Sequence, residues 1–139
     1  MYINNVIYKI LSTTASVTSE FSTRIEPGRL SLDTVLPAIM FQVYGLDVTE
    51  SKDSTNIWDA YQFDLYIFDE DAANLSIRAQ AVRDALVRYT GTVTVKTGVN
   101  YFVHTCSLDD ADFDVSDDIE DPHRASIMRM TFTISIRKA

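Results

Sequence analysis

The residues in this sequence that are best suited to bind ions or do chemistry form a dense run of carboxylates. The run comprises Asp109, Asp110, Asp112, Asp114, Asp117, Asp118, Glu120 and Asp121. Within it, Asp110, Asp112 and Asp114 have the alternating spacing that opens a calcium-binding loop. Val115 stands where such a loop needs glycine, and Asp121 stands where it needs a bidentate glutamate. The three aspartates therefore form an incomplete calcium motif, and a solvated acidic loop is the simpler interpretation.

The same carboxylates could also act through their charge. Negative charge along the wall of a passage would keep DNA, a polyanion, from adhering to that wall. The candidates for an exposed or lumen-facing acidic loop are Asp109, Asp110, Asp112, Asp114, Asp117 and Asp118. The sequence leaves a solvated loop, a lumen lining and loose cation binding open as alternatives.

A different metal site could be drawn from the histidines and the single cysteine. His104 and Cys106 are separated by one residue, which predicts that they share one face of a strand, and His123 follows in a polar segment. Two imidazoles and a thiolate are suitable zinc ligands. The alternative is that Cys106 is a small buried hydrophobe and His104 a partly buried strand residue. We favour this alternative and expect no metal ion and no cofactor.

Motifs of two common enzyme classes are missing. A nucleophile elbow needs Gly-x-Ser-x-Gly after a strand, and a phosphate-binding loop needs a Gly-Lys-Ser/Thr ending. The sequence has four glycines and neither pattern. We therefore expect a protein that is not an enzyme.

Composition predicts one globular domain over residues 1–139, since 46% of the residues are hydrophobic. A net charge of -8 argues against binding to DNA or to an anionic membrane through a basic face. The single cysteine excludes an intramolecular disulfide and favours an intracellular setting. The polar residues mixed into the N-terminal segment suit neither a signal peptide nor a membrane span, so we expect no membrane association.

Apolar spacing predicts two helices and four main strands. The N-terminal helix carries an apolar stripe of Ile3, Val6, Ile7, Ile10 and Leu11, and the second helix carries Leu75, Ala79, Val82, Leu86 and Tyr89. The expected strands cover residues 36–44, 58–68, 99–108 and 127–137, with a short strand around Val93 and Val95 joined to the third by a turn at Thr97 and Gly98. The serine- and threonine-rich residues 13–23 are expected to be a connection. This order predicts an α+β domain, in which two helices pack on one face of an antiparallel sheet of about four main strands.

Two polar segments are expected to be exposed loops, and such loops are where partners bind. The first spans residues 47–56, and its candidate interface residues are Asp47, Glu50, Lys52, Asp53 and Asn56. The second spans residues 109–123 and contains the acidic run. Exposure of a loop also follows from the solvation of its backbone, so both segments could be simple connections.

Two short motifs carry a resemblance to a known family. They are RIEPGRL at residues 24–30 and LPAIMFQ at residues 36–42. Together with the preceding helix, they resemble the opening of the tail-completion, or tail-terminator, proteins of long-tailed bacteriophages. The strand at 61–68, the helix at 79–86 and the strand at 128–136 continue the resemblance in the same order. The acidic segment before the last strand matches no motif of that family.

The resemblance implies a structural virion protein of the phage tail or neck, assembled in the cytoplasm of a bacterial host. Its subunits would form a ring, expected to be hexameric, that caps the tail tube and joins it to the head. The implied partners are further copies of the chain, the tail-tube protein and the head–tail connector or neck proteins, with DNA passing through the lumen without specific binding. Two alternatives stay open: a neck or connector protein on the head side, and a metal-binding module that uses the acidic 109–121 segment.

Overall fold

The computed structural model describes residues 3–30, 34–49, 58–115 and 126–138. Its elements in chain order are α1 (Ile3–Thr13), α2 (Ala15–Phe21), β1 (Ile25–Pro27), β2 (Ala38–Thr49), β3 (Trp58–Asp69), α3 (Ala72–Val87), β4 (Gly91–Lys96), β5 (Val99–Val115) and β6 (Ser126–Lys138). Of the helices in these ranges, none is long and apolar enough to cross a membrane.

The six strands form one sheet in the order β1-β2-β3-β6-β5-β4. Strand β1 runs parallel to β2, and every other neighbouring pair is antiparallel. The expected fold, an antiparallel sheet of about four main strands with two helices, is therefore wrong. The structure has a mixed, curled half-barrel sheet of six strands with three helices.

The missed elements are short and have little apolar periodicity. Helix α2 buries only Val17 and Phe21, while hydroxyls such as those of Thr18 and Ser19 donate back to carbonyls within the helix. Serine and threonine are poor indicators of a helix interior because such local hydrogen bonds serve turns equally well. Three-residue β1 is too short to show an alternating pattern. Both elements form because tertiary packing stabilises them.

The two motifs at residues 24–30 and 36–42 lie next to each other in space. Ile25 pairs with Ile39, and the Ile39 N–H donates to the Arg24 carbonyl at 2.8 Å. The Arg24 side chain donates from Nε to the Pro37 carbonyl at 2.8 Å. Gly28 has a φ of 78°, which favours glycine, and its N–H donates to the Phe41 carbonyl at 2.7 Å. The two motifs therefore encode the parallel β1–β2 pair.

The hydrophobic core lies between the sheet and the helices. The largest fully buried side chains are Phe21, Phe41, Phe63, Phe132, Ile7, Ile10, Leu11, Ile39, Leu65, Ile67, Leu75 and Leu86. Phe63 and Phe132 are cross-strand partners on β3 and β6, and their rings stack with centroids 5.3 Å apart. Full burial of each such side chain stabilises the fold by about 1.5–3 kcal/mol. Strands β3 and β6 bury alternate residues, and Met128 of β6 is only partly buried at the margin of the core.

Helix α1 packs against both β1 and β4, which are the two edge strands of the sheet. Contact with both edges is possible because the sheet curls toward the helix. Helix α3 packs against β3, β5 and β6, near the middle of the sheet. The predicted apolar stripe of α1 is confirmed, since all five of its residues are buried.

Helix α3 buries Leu75, Ala79, Val82 and Leu86 of the predicted stripe, whereas Tyr89 lies beyond its C-terminal end. It begins after Asp71, whose side chain accepts a hydrogen bond from the Ala73 N–H at 3.0 Å, a normal N-cap. The helix ends at Val87, and Arg88 follows as its C-cap in a helical conformation. Gly91 begins β4 with a φ of 130°. The turn predicted at Thr97 and Gly98 is present, and Gly98 has a φ of 79°.

A largely buried ion pair joins the end of β3 to α3. The Arg78 guanidinium contacts the carboxylate of Asp69, with side chains only 17% and 5% exposed. Arg78 also donates from Nε to Glu20 of α2 at 3.2 Å. The other Asp69 oxygen accepts from the Asp71 N–H at 2.9 Å. One arginine thus ties together α2, α3 and the β3–α3 connection.

Candidate interaction surface

The face of the sheet opposite the core carries alternating side chains with no helix of the described residues packed on it. Cross-strand pairing places Asp64, Thr131 and Asp110 in one row, and Tyr66, Arg129 and Asp112 in the next. We call this side the outer face. Carboxylates, aromatic rings and arginines of the described residues come together on this face.

An acidic cluster lies on the β5 half of the outer face. Thr131 donates from its hydroxyl to Asp64 at 2.8 Å, and the Thr133 hydroxyl makes a short hydrogen bond to Asp109. Arg129 donates to Asp112 at 2.6 Å and lies 3.9 Å from Asp110. This hydrogen bond, which Arg129 donates to Asp112, raises the pKa of Arg129. One arginine thus faces several carboxylates, and the cluster keeps a net negative charge.

The negative charge of this cluster reaches across the face to Tyr44 on β2. The Tyr44 side chain is 55% exposed. Partial desolvation, followed by the charges of Asp64 and Asp109, raises the pKa of its hydroxyl. Tyr44 is therefore an exposed aromatic group beside an acidic surface.

The opposite end of the outer face carries a cluster of aromatic and cationic groups. The Trp58 ring lies 4.7 Å from the ring of His104 and 6.1 Å from that of Phe102. The Arg137 guanidinium lies over Trp58 at 5.1 Å and over Phe102 at 5.4 Å, both cation–π distances. Tryptophan and arginine are enriched at the energetic centres of protein interfaces. Sequence analysis missed this cluster because its members come from three strands, whose pairing no local pattern reveals.

The predicted common face for His104 and Cys106 is wrong. A β-bulge between Val103 and Thr105 shifts the alternation, so that Cys106 turns into the core while His104 is exposed beside Trp58. Burial, with a smaller contribution from Asp109, raises the pKa of the Cys106 thiol to about 12. Cys106 is a packing residue, as the alternative interpretation held, whereas the partial burial that it expected for His104 is wrong. His123 lies outside the described residues.

The acidic segment begins as a strand rather than as the predicted loop. Asp109, Asp110, Asp112 and Asp114 all lie on β5, because residues 110–115 pair with residues 126–131 of β6. An extended strand spreads its side chains over two faces, whereas a calcium loop curls them around one ion. Within the described ranges, no group of three His, Cys, Asp or Glu residues is placed to hold a metal ion. Asp117 and Asp118 lie outside those ranges.

The other predicted loop also begins later than expected. Strand β2 continues through Asp47 to Thr49, since residues 45–49 pair with residues 58–62 of β3. Pairing with a hydrophobic neighbouring strand can extend a strand into polar sequence, which local propensity does not predict. The interface candidates Glu50, Lys52, Asp53 and Asn56 lie outside the described residues.

Two long strands have edges that are only partly paired. Strand β1 pairs with residues 39–41 of β2, and β4 pairs with residues 99–103 of β5. In the part of the chain that the structure describes, no strand pairs with that side of β2 beyond residue 41 or of β5 beyond residue 103. We call residues 42–49 the free β2 edge and residues 104–115 the free β5 edge. Their unpaired N–H and C=O groups are available to another chain.

The fold is found in a known particle. It is similar to a chain in the solved structure of the virion of a native gene transfer agent (GTA) particle, with a TM-score of 0.67. The alignment covers 99% of this chain and 95% of that chain, at 14% sequence identity. No protein-family model and no curated protein matches the sequence, so the tail-completion family is not shown for this chain. At such low identity, the finding is that the two chains share one fold over almost their full lengths.

Proposed function

We propose that this chain is a non-catalytic structural protein of a phage-like virion, and that it forms a ring at the junction of tail and head. The observation that carries the proposal is the fold shared with a chain of the GTA virion, which extends over nearly all of both chains. A likeness of this extent favours a role in a particle of the same general kind. The resemblance of residues 24–42 to tail-completion proteins supports the finer assignment to the end of the tail tube.

The surface of the molecule suits a subunit that works through contacts. The outer face combines the Trp58–Arg137 cluster with an acidic cluster, and two long strand edges are only partly paired. Exposed edges of this length are commonly covered in the native assembly. In a ring, each subunit would bury its edges against its neighbours, and the ring would present different surfaces to the tail tube and to the head-side connector. The proposed location is the virion, after assembly in the bacterial cytoplasm.

The net charge of -8 agrees with DNA passing through the ring without specific binding. Carboxylates such as Asp110 and Asp112 would repel the phosphate backbone if they faced the lumen. Hexameric symmetry is part of the proposal and rests on the family resemblance.

The first test is the mass of the purified protein by light scattering, followed by negative-stain imaging of any large species. A closed ring with a central hole is the expected result. Co-sedimentation should then occur with purified tails that lack heads. Binding only to filled heads without tails would replace the tail-end assignment with a head-side neck or connector role. Saturable heat on titration with Ca²⁺ in the micromolar range would instead favour the metal-binding alternative.

A further inference from the structure

We propose that neighbouring copies join by strand addition, the free β2 edge of one subunit pairing with the free β5 edge of the next. This inference rests on the proposed ring and identifies its interface. The pairing would extend the six-stranded sheet from subunit to subunit through backbone hydrogen bonds.

The two free edges have complementary positions. Strand β1 covers β2 only at the end of the sheet that includes Ala38, and β4 covers β5 only at the opposite end, near Val99. On each edge of the sheet, the short strand therefore leaves part of the long strand uncovered, and we call this uncovered part a step. The two steps lie at opposite ends of the sheet. A second copy, displaced along the strand direction, would place its β5 step into the β2 step of the first.

The strand directions also agree. The order of neighbouring strands in the sheet, β2–β3–β6–β5, contains three antiparallel pairings, so β2 and β5 run in opposite directions within one subunit. When two copies lie side by side with the same face outward, β2 of one and β5 of the next are antiparallel. Antiparallel pairing is the more stable geometry per residue.

Charge discriminates against the simplest alternative, a two-fold dimer through β5. That dimer would bring the carboxylates of Asp109, Asp110 and Asp112 of one copy next to those of the other. Like charges directly opposite each other across a strand pair are destabilising. The free β2 edge, residues 42–49, carries a single carboxylate, that of Asp47, among otherwise neutral residues. The acidic edge is thus better matched by β2 than by itself, and a contact between two different surfaces generates a ring when it closes.

The register of this pairing is bounded by the ends of the two steps. If Thr49 lies opposite His104, then Tyr44 lies opposite Asp109. If Gln42 lies opposite Val115, then Tyr44 lies two strand pairs further along, opposite Phe113. Asp110 lies on the outer face with Tyr44 and within three residues of both limits, so it is within reach of Tyr44 for a cross-linker of roughly 10 Å, given a rise of about 3.3 Å per strand residue.

The test is cross-linking of Tyr44→Cys with Asp110→Cys by a bis-maleimide of that span, in a Cys106→Ala background. The double variant should give a ladder of covalent oligomers that ends at the ring size. Each single variant should stay monomeric, because neither edge pairs with itself. A dimer from Tyr44→Cys alone, or from Asp110→Cys alone, would overturn the proposal in favour of a two-fold contact.

A matched control places the second cysteine on α3, away from both edges, as Tyr44→Cys with Ala73→Cys. Ala73 is exposed, so its thiol reacts with the same reagent. A ladder from this pair as strong as that from Tyr44 and Asp110 would show random collision and refute the interface. If wild-type rings appear by negative stain but the double variant gives no ladder, the edge pairing is wrong and the ring remains. If neither wild-type rings nor a covalent ladder forms, the proposal that the protein forms rings in solution is wrong as well.

A second measurement tests the same interface without cysteines. Tyr44→Asp would place a new carboxylate against the acidic β5 edge of the neighbour, and we expect at least a tenfold rise in the concentration needed for assembly. Ile77→Asp on α3 is the matched control, since Ile77 is also exposed and α3 packs near the middle of the sheet. Equal effects of the two substitutions would refute the assignment. The Tm of each unassembled variant checks that its fold is intact.

Discussion

The ion pair between Arg78 and Asp69 gives the sharpest prediction of stability. We expect Arg78→Met to destabilise the protein because it leaves the Asp69 carboxylate, only 5% exposed, without its cation. Methionine keeps the length of the side chain and suits a helix, so the loss of charge is the main change. Removing one partner of a buried pair costs about 3–5 kcal/mol.

The expected cost is below the top of that range. Arg78 is 17% exposed, so water screens part of the interaction, and its second partner, Glu20, is 37% exposed and adds little. We therefore expect a loss of about 2–4 kcal/mol in the free energy of unfolding. For a domain of this size, this corresponds to a fall in Tm of roughly 6–16 °C.

The assay is urea unfolding followed by circular dichroism, with the linear dependence on denaturant checked for each variant. Arg88→Met is the matched control: Arg88 lies 3.9 Å from Asp84 on the same helix, but it is 78% exposed. An exposed pair of this kind contributes less than about 0.5 kcal/mol. If Arg78→Met and Arg88→Met cost the same, the argument from burial is refuted. The double variant Asp69→Asn with Arg78→Met should recover part of the loss, because no uncompensated charge remains.

Further predictions concern the core, the cysteine and one turn. Phe63→Ala should cost about 3–5 kcal/mol in urea unfolding, because it leaves a cavity beside the Phe132 ring, while Tyr44→Ala on the exposed face should cost less than about 1 kcal/mol. The buried Cys106 thiol should resist 5,5′-dithiobis(2-nitrobenzoic acid) at pH 8 until the protein is unfolded; rapid reaction with the native protein would contradict its placement. Because burial raises the pKa of Cys106 from 9.0 to about 12, the unfolded state loses this proton first, and stability should fall more steeply above pH 9 in the wild type than in Cys106→Ala. Gly98→Ala should lower stability by about 1 kcal/mol through its positive φ alone, since a Cβ there meets no atom within 4 Å; no change in the unfolding midpoint would show that the turn relaxes.

The sequence predicted the elements that have strong periodicity. The stripe of α1, the stripe of α3 and the alternation of β3 and β6 are local patterns that each reflect a single buried face. Strand β1 and helix α2 were missed because three residues or two buried side chains carry too little of such a pattern. The strand count was therefore too low, and the one parallel pair was not foreseen.

The candidate surface was harder to predict than the fold. Composition predicts loops at the polar ends of β2 and β5, because it reports solvation but not strand pairing. The bulge at His104 reversed the expected relation between His104 and Cys106, and a bulge is set by the neighbouring strand rather than by the sequence of its own strand. The grouping of Trp58, Phe102 and Arg137 likewise depends on the order of strands in the sheet.

The central position of β6 has a consequence for biosynthesis. Strand β6 lies between β3 and β5, although it follows both in the chain. In a nascent chain on the ribosome, β3 and β5 cannot be joined through β6 until residues 126–138 have emerged. During that interval, β3 and β5 each lack a neighbour, and such exposed edges are sites of aggregation. Fragments that end before β6 should therefore accumulate in inclusion bodies or require chaperones, however well their individual helices form.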